Sequence, residues 1–400
     1  MEFGTPLYVY ELEEVRQAHA ALRAALPGEA VLFYSLKANP HPAVAGELAR
    51  LGCRAEISSP GELEAALEAG FDPSTCLYTG PAKSPAEVEH ALRREVGWFS
   101  VDSPDELAKV VRPGDGGSTK TVLRINEDEP GPPGGLAMTG GASQFGADAS
   151  WVLAQLEVFR ARGAGSLRGL HFFSATNVSE AAPLRESFAR SVEVARRIAA
   201  ALDIELELLD LGGGFGAPYA RSGSNPVFTS LRAPLEAMLE TGFTHWRGAS
   251  PTIAFESGRH LVATAGTLLT TVQDVKRSKG VRYVLIDAGA NHLGGMSGLR
   301  RLPFTTVSVT AVAPNASADD VERATVVGPL CTPVDVVARE VLLPALAPGD
   351  LLSVPNVGAY GLTASLVAFL SRPAPVEVVV DRGAVTNVSR LLIERSAIGR

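Results

Sequence analysis

Residues 31–37, Val-Leu-Phe-Tyr-Ser-Leu-Lys, form a nearly continuous apolar run, and a helical pattern follows at Ala43–Leu51. A run of this kind is typical of a parallel strand that is buried on both faces. Seven similar runs follow along the chain, at Cys53–Ser58, Cys76–Gly80, Trp98–Ser103, Thr121–Asn126, Leu167–Phe173, Leu206–Leu211 and Thr252–Ser257. The opening stretch therefore predicts a unit of one strand and one helix that recurs eight times.

Helical patterns fill most of the gaps between these runs. After the first, they lie at Pro60–Ala69, Pro85–Arg93, Pro104–Val111, Ala149–Arg162, Glu180–Leu202 and Ala233–Thr241. Three of them begin with Ser-Pro, which predicts a serine N-cap followed by proline at the first helical position. Eight β/α units in series predict an α/β fold, a closed (β/α)₈ TIM barrel over residues 28–262.

Beyond residue 265 the pattern changes, because runs rich in Val, Thr and Ile follow one another with few helical stretches between them. These runs lie at Gly266–Val275, Tyr283–Ala288, Thr305–Val312, Arg323–Val327, Asp350–Pro355, Val376–Asp381 and Leu391–Glu394. They predict an antiparallel β domain, sandwich-like or barrel-like, formed by residues 263–400. Residues 1–27 are assigned to it as well, because Pro6–Tyr10 is a lone strand-like run before the barrel.

Composition narrows the range of functions. Lys and Arg number 36 against 44 Asp and Glu, which gives a net charge of −8. Without a basic surplus to neutralise phosphates, nucleic acid is not expected as a partner. The three cysteines are too scattered for a disulfide framework or a CxxC metal site, so we expect no metal and a reducing cytoplasm. Met1–Glu14 lacks the pattern of a secretory signal, and the apolar stretches are too short to span a membrane.

The carboxyl ends of the strands are where a barrel of this kind builds its active site. The first run ends in Lys37, and an amine that is desolvated there could form a Schiff base. The sixth run carries His171. Taken alone, Lys37 is more often a solvated surface lysine than a catalytic one, and His171 is more often a structural histidine.

The seventh and eighth runs end in groups suited to a phosphate and to a ring nitrogen. Gly212, Gly213 and Gly214 leave backbone N–H groups open to an anion, or form a plain turn. Glu256 can hold a ring nitrogen protonated while Gly258 and Arg259 face a phosphate, or Glu256 and Arg259 form a surface ion pair. Together with Lys37 and His171, these residues describe a site for pyridoxal 5′-phosphate.

The chain resembles the barrel-fold, alanine-racemase-like pyridoxal-phosphate-dependent amino-acid decarboxylases, the group that includes diaminopimelate, ornithine and arginine decarboxylases. The resemblance covers nearly the whole chain and rests on Tyr34–Asn39, Glu56–Ser59, His171, Gly212–Gly214, Glu256–Arg259, Gly328–Cys331 and Gly358–Tyr360. It implies a barrel followed by a β domain, as the pattern of runs predicts independently. It also implies decarboxylation through a Schiff base and a quinonoid carbanion, whereas racemases place Arg at the ring nitrogen.

The resemblance further implies a role for each residue. Lys37 forms the Schiff base, His171 stacks on the cofactor ring and Glu256 pairs with the pyridinium. The groups implied around the phosphate, besides the cradle at Gly212 and Gly213, are Ser174, Gly214, Gly258, Arg259 and Tyr360. Cys331 protonates the carbanion after loss of carbon dioxide, and it reaches the site from the second subunit. A homodimer with shared active sites is therefore implied.

The substrate is less constrained. Diaminopimelate decarboxylases carry Glu after this cysteine and ornithine decarboxylases carry Asp, whereas Cys331 is followed by Thr332, which supplies no charge for a distal ammonium. The segment around Asn291 lacks the Arg and Tyr that would bind a distal carboxylate. Asp335 is a further candidate for a substrate contact, or else a helix N-terminal carboxylate before Val336–Val341.

We therefore predict a pyridoxal-phosphate-dependent decarboxylase of a specialised biosynthetic pathway. The chain looks most like the branch whose members include a decarboxylase of carrier-protein-tethered glutamate, so an amino acid that is free or presented on an acyl carrier protein is expected. The alternatives are a meso-diaminopimelate decarboxylase of lysine biosynthesis and a non-catalytic regulatory relative. The latter should have lost Lys37 or Cys331, and both are present.

Overall fold

The computed structural model describes residues 2–111, 119–133, 136–163, 167–294, 307–312 and 321–396. The chain divides into two compact units. One, called here the barrel unit, contains Arg16–Ala217 and Asn225–Leu261; the other, the sheet unit, contains Met1–Val15, Pro218–Ser224 and Val262–Arg400. Residues 16–27, which the sequence analysis assigned to the β domain, thus group with the barrel unit.

The barrel unit is built on a closed parallel sheet of eight strands. Numbered one to eight in chain order, they are Val31–Ser35, Arg54–Ile57, Leu77–Tyr78, Trp98–Val101, Lys120–Asn126, Leu167–Phe172, Leu208–Asp210 and Thr252–Ser257. Each strand pairs with the next, and strand eight pairs with strand one, where Glu256 lies opposite Phe33. The (β/α)₈ barrel predicted from the apolar runs is confirmed.

Helices follow most of these strands. The helices of the described chain are Leu12–Ala25, Pro42–Arg50, Pro60–Glu68, Pro85–Arg93, Pro104–Val110, Ala149–Ala154, Leu156–Gly163, Ala181–Leu202, Arg232–Gly242 and Arg259–Val262. The predicted serine caps are confirmed, since the hydroxyls of Ser59, Ser84 and Ser103 each accept the N–H three residues on, at 3.1 to 3.2 Å. The single helix predicted over 149–162 is wrong, because the backbone of Gln155 is not helical. None of the described helices is long and apolar enough to cross a membrane.

The barrel interior is filled by alternating sets of side chains. Odd-numbered strands supply buried apolar groups, which cluster with Ala254 of strand eight: Phe33, Leu77, Val122 and Leu208. Even-numbered strands supply a polar set, called here the polar layer, whose members are Glu56, Ser100, His171 and Glu256. Each of these four is the penultimate residue of its strand and is at most 2% exposed. Alternate strands commonly fill a barrel in this way, and the polar layer lies near the carboxyl ends, where barrel enzymes place their sites.

The sheet unit contains one nine-stranded sheet. Its strands are Leu7–Glu11, Gly266–Ser278, Val281–Ile286, Thr310–Val312, Val321–Val327, Val336–Pro344, Leu351–Val354, Val376–Asp381 and Ala384–Arg390. Most pairings are antiparallel, as predicted, but Leu7–Glu11 pairs in parallel with Val376–Asp381, and Val281–Ile286 does so with Val321–Val327. The first strand also pairs with Gly266–Ser278, which confirms the link inferred for Pro6–Tyr10.

Three local predictions in the sheet unit differ from the structure. The strand predicted at Leu391–Glu394 is wrong, since these residues have no regular structure. The strand Ala384–Arg390 was missed, because nearly all of its residues are exposed and show no apolar pattern. The helix considered after Asp335 is wrong: Val336–Pro344 is a strand paired with Val321–Val327. Its adjacent β-branched residues favour extended backbone.

Candidate active site

Lys37 lies in the short 3₁₀ turn Leu36–Ala38, directly after strand one. Its Nζ donates to both carboxylate oxygens of Glu56, at 2.9 and 3.1 Å. The Lys37 side chain is 40% exposed, whereas that of Glu56 is 1% exposed. The Lys37 side chain is thus partly exposed and its amine lies beside a carboxylate, while the Schiff-base role of Lys37 stays a prediction.

Glu56 remains ionised although it is buried. Burial alone raises the pKa of Glu56, but the charge of Lys37 and hydrogen bonds from Ser35, Thr79 and Lys37 lower it to about 2. The Thr79 hydroxyl donates directly to Oε1. This carboxylate thus fixes the position of the lysine amine. In the sequence Glu56 is recognisable only as part of the motif Glu56–Ser59; the signal that could identify it is a charged residue in the middle of an apolar run.

His171 and Glu256 face each other within the polar layer. His171 Nε2 lies 3.1 Å from Glu256 Oε1, and Nδ1 lies 2.7 Å from Ser100 Oγ. Nε2 and Oε1 nevertheless have no hydrogen-bond partner of acceptable geometry among the described residues. Both side chains are 2% exposed, so the alternative of a surface ion pair between Glu256 and Arg259 is wrong.

Asp210 adds a third ionisable side chain that the sequence analysis did not single out. It is the last residue of strand seven; its Oδ1 accepts the N–H of Gly212 at 2.8 Å, while Oδ2 has no partner among the described residues. Burial, and then the charge of Glu256, raise the pKa of Asp210 well above its ordinary value. Ligand atoms of His171, Asp210 and Glu256 lie within 4.8 Å of one another, a spacing that could also hold a metal ion.

The unpartnered atoms indicate what chemistry this place suits. A buried carboxylate oxygen without a donor is costly, and an N–H group supplied by a ligand would satisfy Glu256 Oε1. A protonated pyridine nitrogen is such a donor. The residues present therefore fit the ring of pyridoxal phosphate, with the reachable amine of Lys37 available for its aldehyde.

The turn Gly212–Gly214 follows strand seven and packs against the backbones of the neighbouring strands. A Cβ on Gly212 would lie 2.1 Å from the carbonyl oxygen of Phe172, and one on Gly213 would lie 2.2 Å from that of Glu256. Gly214 has a φ of 105°, which favours glycine, and its carbonyl accepts the N–H of Val178 at 2.8 Å. Close packing therefore accounts for these glycines, and their contact with a phosphate stays a prediction.

Gly258 joins the end of strand eight to the turn that carries Lys37. A Cβ on Gly258 would lie 2.8 Å from Cβ of Ala38 and 3.1 Å from that of Ser35. Arg259 follows at the start of the short helix Arg259–Val262 and is 9% exposed. The end of strand eight and the lysine turn are thus in direct contact.

Ser174, implied to lie near the phosphate, binds a carboxylate in this structure. Its hydroxyl donates to Glu127 Oε2 at 2.5 Å, and the Ser191 hydroxyl donates to Oε1 at 3.0 Å. Burial raises the pKa of Glu127, although both hydrogen bonds oppose the shift. Glu127 is marked in the sequence only by its place at the start of the Gly- and Pro-rich segment Glu127–Gly146. The phosphate contact of Ser174 stays a prediction.

Cys331 and Thr332 lie in a loop of the sheet unit between Val321–Val327 and Val336–Pro344. Cys331 is exposed and Thr332 is half-buried. Asp335 ties this loop to the segment around residue 290, because its two carboxylate oxygens accept the N–H groups of Ala290 and Leu330, both at 2.7 Å. The carboxylate proposed as a substrate contact is therefore occupied by backbone donors of its own unit.

The two remaining candidates also belong to the sheet unit. Asn291 is fully buried, with its amide 2.9 Å from Nε2 of His292. Tyr360 is half-buried, has a φ of 54°, and accepts the Tyr219 hydroxyl on its carbonyl at 3.2 Å. The candidates thus divide between the units. The barrel unit holds Lys37, His171, Ser174, Gly212–Gly214, Glu256, Gly258 and Arg259, and the sheet unit holds Asn291, Cys331, Thr332, Asp335 and Tyr360.

A barrel with a reachable lysine amine and buried, unpartnered His and Glu atoms at its strand ends defines an enzyme that binds pyridoxal phosphate. The family described as pyridoxal-dependent decarboxylase, pyridoxal binding domain, matches residues 12–263. The chain belongs to this family, and it is a pyridoxal-phosphate-dependent amino-acid decarboxylase, a carboxy-lyase, as predicted from its sequence.

Individual relatives span nearly the full length. The chain is 31% identical over 396 residues to the L-glutamyl-[BtrI acyl-carrier protein] decarboxylase of Niallia circulans, covering 97% of this chain and 91% of that protein. It is 30% identical over 405 residues to the diaminopimelate decarboxylase of Zymomonas mobilis, covering 99% and 91%. A crystal structure of diaminopimelate decarboxylase from Helicobacter pylori with L-lysine matches with a TM-score of 0.79 at 26% identity, covering 97% and 93%.

Proposed function

We propose that this decarboxylase acts on an amino acid without a free distal ammonium group, in a specialised biosynthetic pathway, with a glutamyl group on an acyl carrier protein as the preferred substrate. The observation that carries the proposal is Thr332, a neutral side chain directly after Cys331. A buried or half-buried ammonium needs a charged partner, and a hydroxyl does not supply one. The relative from Niallia circulans supports this substrate class. The second candidate is meso-diaminopimelate, which the relative from Zymomonas mobilis favours.

We assign the cofactor ring to the polar layer. When bound, pyridoxal phosphate supplies an aldehyde and a ring that draws electron density from the bond being broken. Lys37, positioned by Glu56, binds the aldehyde. Glu256 holds a proton at the ring nitrogen, and His171 borders the ring. The phosphate is assigned to the groups at the ends of strands six to eight: Ser174, Gly212, Gly213, Gly214, Gly258 and Arg259. Tyr360 keeps the phosphate role that the family resemblance implies.

We propose that the Cys331 thiol donates a proton to the carbanion left after carbon dioxide is lost. The thiol does so in the active site of the partner subunit. The homodimer with shared sites is the arrangement that the family resemblance implies. The exposure of Cys331 on its loop supports it, because an exposed thiol can reach a second subunit. A cytoplasmic location without nucleic-acid or membrane partners is part of the proposal, supported by the net charge of −8 and the scattered cysteines.

The substrate assignment is tested by measuring carbon dioxide release from free meso-diaminopimelate and from glutamyl-loaded acyl carrier protein. We expect turnover with the carrier-bound substrate and little with the free diamino acid. Thr332→Glu is the matched variant, because it supplies the missing carboxylate; it should increase the rate with diaminopimelate and decrease it with the carrier substrate. Rapid turnover of diaminopimelate by the unmodified enzyme would contradict the preferred assignment and establish the second candidate.

The shared site is tested by mixing two variants that each lack one required group, Lys37→Ala, which should be inactive, and Cys331→Ala, which should form the normal product only slowly. In randomly mixed dimers one of the two sites of each hybrid regains both residues, so about a quarter of the normal activity should return. No recovery, with hybrid dimers demonstrated by tagged subunits, would contradict a shared site while leaving the decarboxylase assignment intact. Borohydride reduction and peptide mass spectrometry should place the cofactor on Lys37, and the Lys37→Ala variant is the control.

A further inference from the structure

Phe173 lies at the mouth of the barrel, immediately after strand six. Lys37 Nζ sits over its ring, 5.7 Å from the centroid, and the guanidinium of Arg124 lies 6.0 Å from the same centroid. The side chain is half-buried, so part of the ring is open. The ring therefore borders the amine that binds the cofactor.

His171 occupies a different level. It belongs to the polar layer, is 1% exposed, and has both ring nitrogens directed at side chains of other strands: Nδ1 at Ser100 and Nε2 at Glu256. Glu256 is the proposed partner of the cofactor's pyridine nitrogen. Because the edge of the His171 ring points at Glu256, His171 lies beside the proposed position of that nitrogen. Phe173 follows two residues later, directly after strand six ends at Phe172. The phenylalanine thus lies one level closer to the mouth than His171.

We propose that Phe173 covers one face of the cofactor's pyridine ring, and that His171 meets the edge of this ring beside Glu256. This inference rests on the proposed binding of the cofactor at Lys37. It reassigns the stacking contact that the family resemblance implied for His171.

The chemistry of the two side chains supports this division. A pyridine ring held protonated through Glu256 carries positive charge, and the face of an aromatic ring attracts cations. The cationic groups of Lys37 and Arg124 already lie 5.7 and 6.0 Å from the centroid of this ring. A phenylalanine also takes up and releases no proton, so its face contributes packing and exclusion of water without competing for the reaction's protons.

The test measures cofactor affinity rather than turnover. Apo-protein is titrated with pyridoxal phosphate, and the dissociation constant and the induced circular dichroism of the bound cofactor are recorded for three variants. Phe173→Leu removes the aromatic face and keeps an apolar side chain; it should raise the dissociation constant by about three- to tenfold and reduce the induced signal. Phe173→Tyr retains the face and should stay within about twofold of the unmodified protein.

Phe145→Leu is the matched control. The ring of Phe145 lies 4.7 Å from the same Arg124 guanidinium, so this variant removes an arginine–aromatic contact from the same cluster. It should leave the affinity within about twofold.

The outcomes separate the inference from the function on which it rests. If the unmodified protein binds the cofactor at Lys37 and Phe173→Leu binds it equally well with an unchanged induced signal, the stacking role is wrong while the proposed function stands. An equal loss in Phe145→Leu and Phe173→Leu would also overturn it, since the effect would then come from Arg124. If no cofactor attaches to Lys37 in the unmodified protein, the proposed function and this inference both fail.

Discussion

Glu56→Gln tests whether a buried carboxylate, and not the shape of its pocket, fixes the amine of Lys37. In the cofactor-free protein Glu56 is 1% exposed and contacts Nζ of Lys37 at 2.9 and 3.1 Å. An amide can keep the hydrogen bond from Thr79, but it cannot keep the charge interaction with Lys37. The substitution should therefore destabilise the barrel unit by an amount set by the carboxylate's charge.

The magnitude follows from the pKa of Glu56. It lies at about 2, below the ordinary 4.5, and one pKa step is worth about 1.4 kcal/mol. The full difference corresponds to about 3 kcal/mol, and we expect about 2 to 3 kcal/mol because water screens the 40% exposed Lys37. Since the folded-state pKa is lowered, this stabilisation is present above pH 4.5 and disappears as the pH falls towards 2. The free energy of unfolding of Glu56→Gln should therefore differ from that of the unmodified protein by roughly half as much at pH 3 as at pH 7.

The assay is urea unfolding of the cofactor-free protein followed by tryptophan fluorescence, which reports the barrel unit because Trp98, Trp151 and Trp246 all lie in it. Glu64→Gln is the control: Glu64 pairs with Arg94 at 2.6 Å, but both side chains are nearly half exposed, so its loss should be below about 1 kcal/mol at pH 7. A destabilisation by Glu56→Gln that stays the same from pH 7 to pH 3 would refute the reasoning, because it would show that packing and not charge is lost.

Three further variants test the assigned roles. Glu256→Gln should keep the cofactor bound but slow single-turnover decarboxylation by about a hundredfold or more, since an amide cannot hold a proton at the ring nitrogen; an unchanged rate would remove this role. Cys331→Ala should slow product formation or misdirect protonation with the cofactor still bound, as shown by NMR of the product formed in D₂O, and normal turnover with normal product would count against the thiol. Asp335→Asn keeps one of the two oxygens that accept backbone N–H groups and replaces the other with an NH₂ donor, so one backbone N–H loses its acceptor. The variant should cost about 1 to 3 kcal/mol in the sheet unit, measured by thermal unfolding; an unmoved transition would show that the loop is held by other contacts.

The sequence predicts the barrel well because its strands are buried on both faces and therefore appear as apolar runs. All eight runs correspond to strands, and the helix Pro85–Arg93 has the bounds that its capping signal predicts. The missed elements carry no such pattern. Ala384–Arg390 is an exposed strand at the edge of the sheet, and Leu12–Ala25 buries only a narrow apolar stripe among many polar residues.

The candidate site is predictable only where a residue's position along the chain decides its role. Lys37 and Glu256 are recognisable because they lie at the carboxyl ends of apolar runs in the sequence. Ser100 is not, since its contact with His171 joins residues 71 positions apart and depends on the closure of the barrel. Asp210 and Phe173 lie within the seventh and sixth apolar runs, but their importance comes from side chains on other elements of the barrel, which a single sequence does not show.

The polar layer explains why so few residues can do this chemistry in a barrel core. A side chain at the penultimate position of an even-numbered strand must point inwards, where burial of a charge is expensive unless a partner compensates it. Glu56 is compensated by Lys37, whereas Glu256, with its unpartnered Oε1, and Asp210, with its raised pKa, are not fully compensated within the described chain. A ligand can lower the free-energy cost of burying Glu256 by placing an N–H donor beside Oε1. To do so, the ligand's ring must lie within the polar layer. If Glu256 binds the ring nitrogen as proposed, its unpartnered oxygen favours a ligand whose ring nitrogen carries a proton.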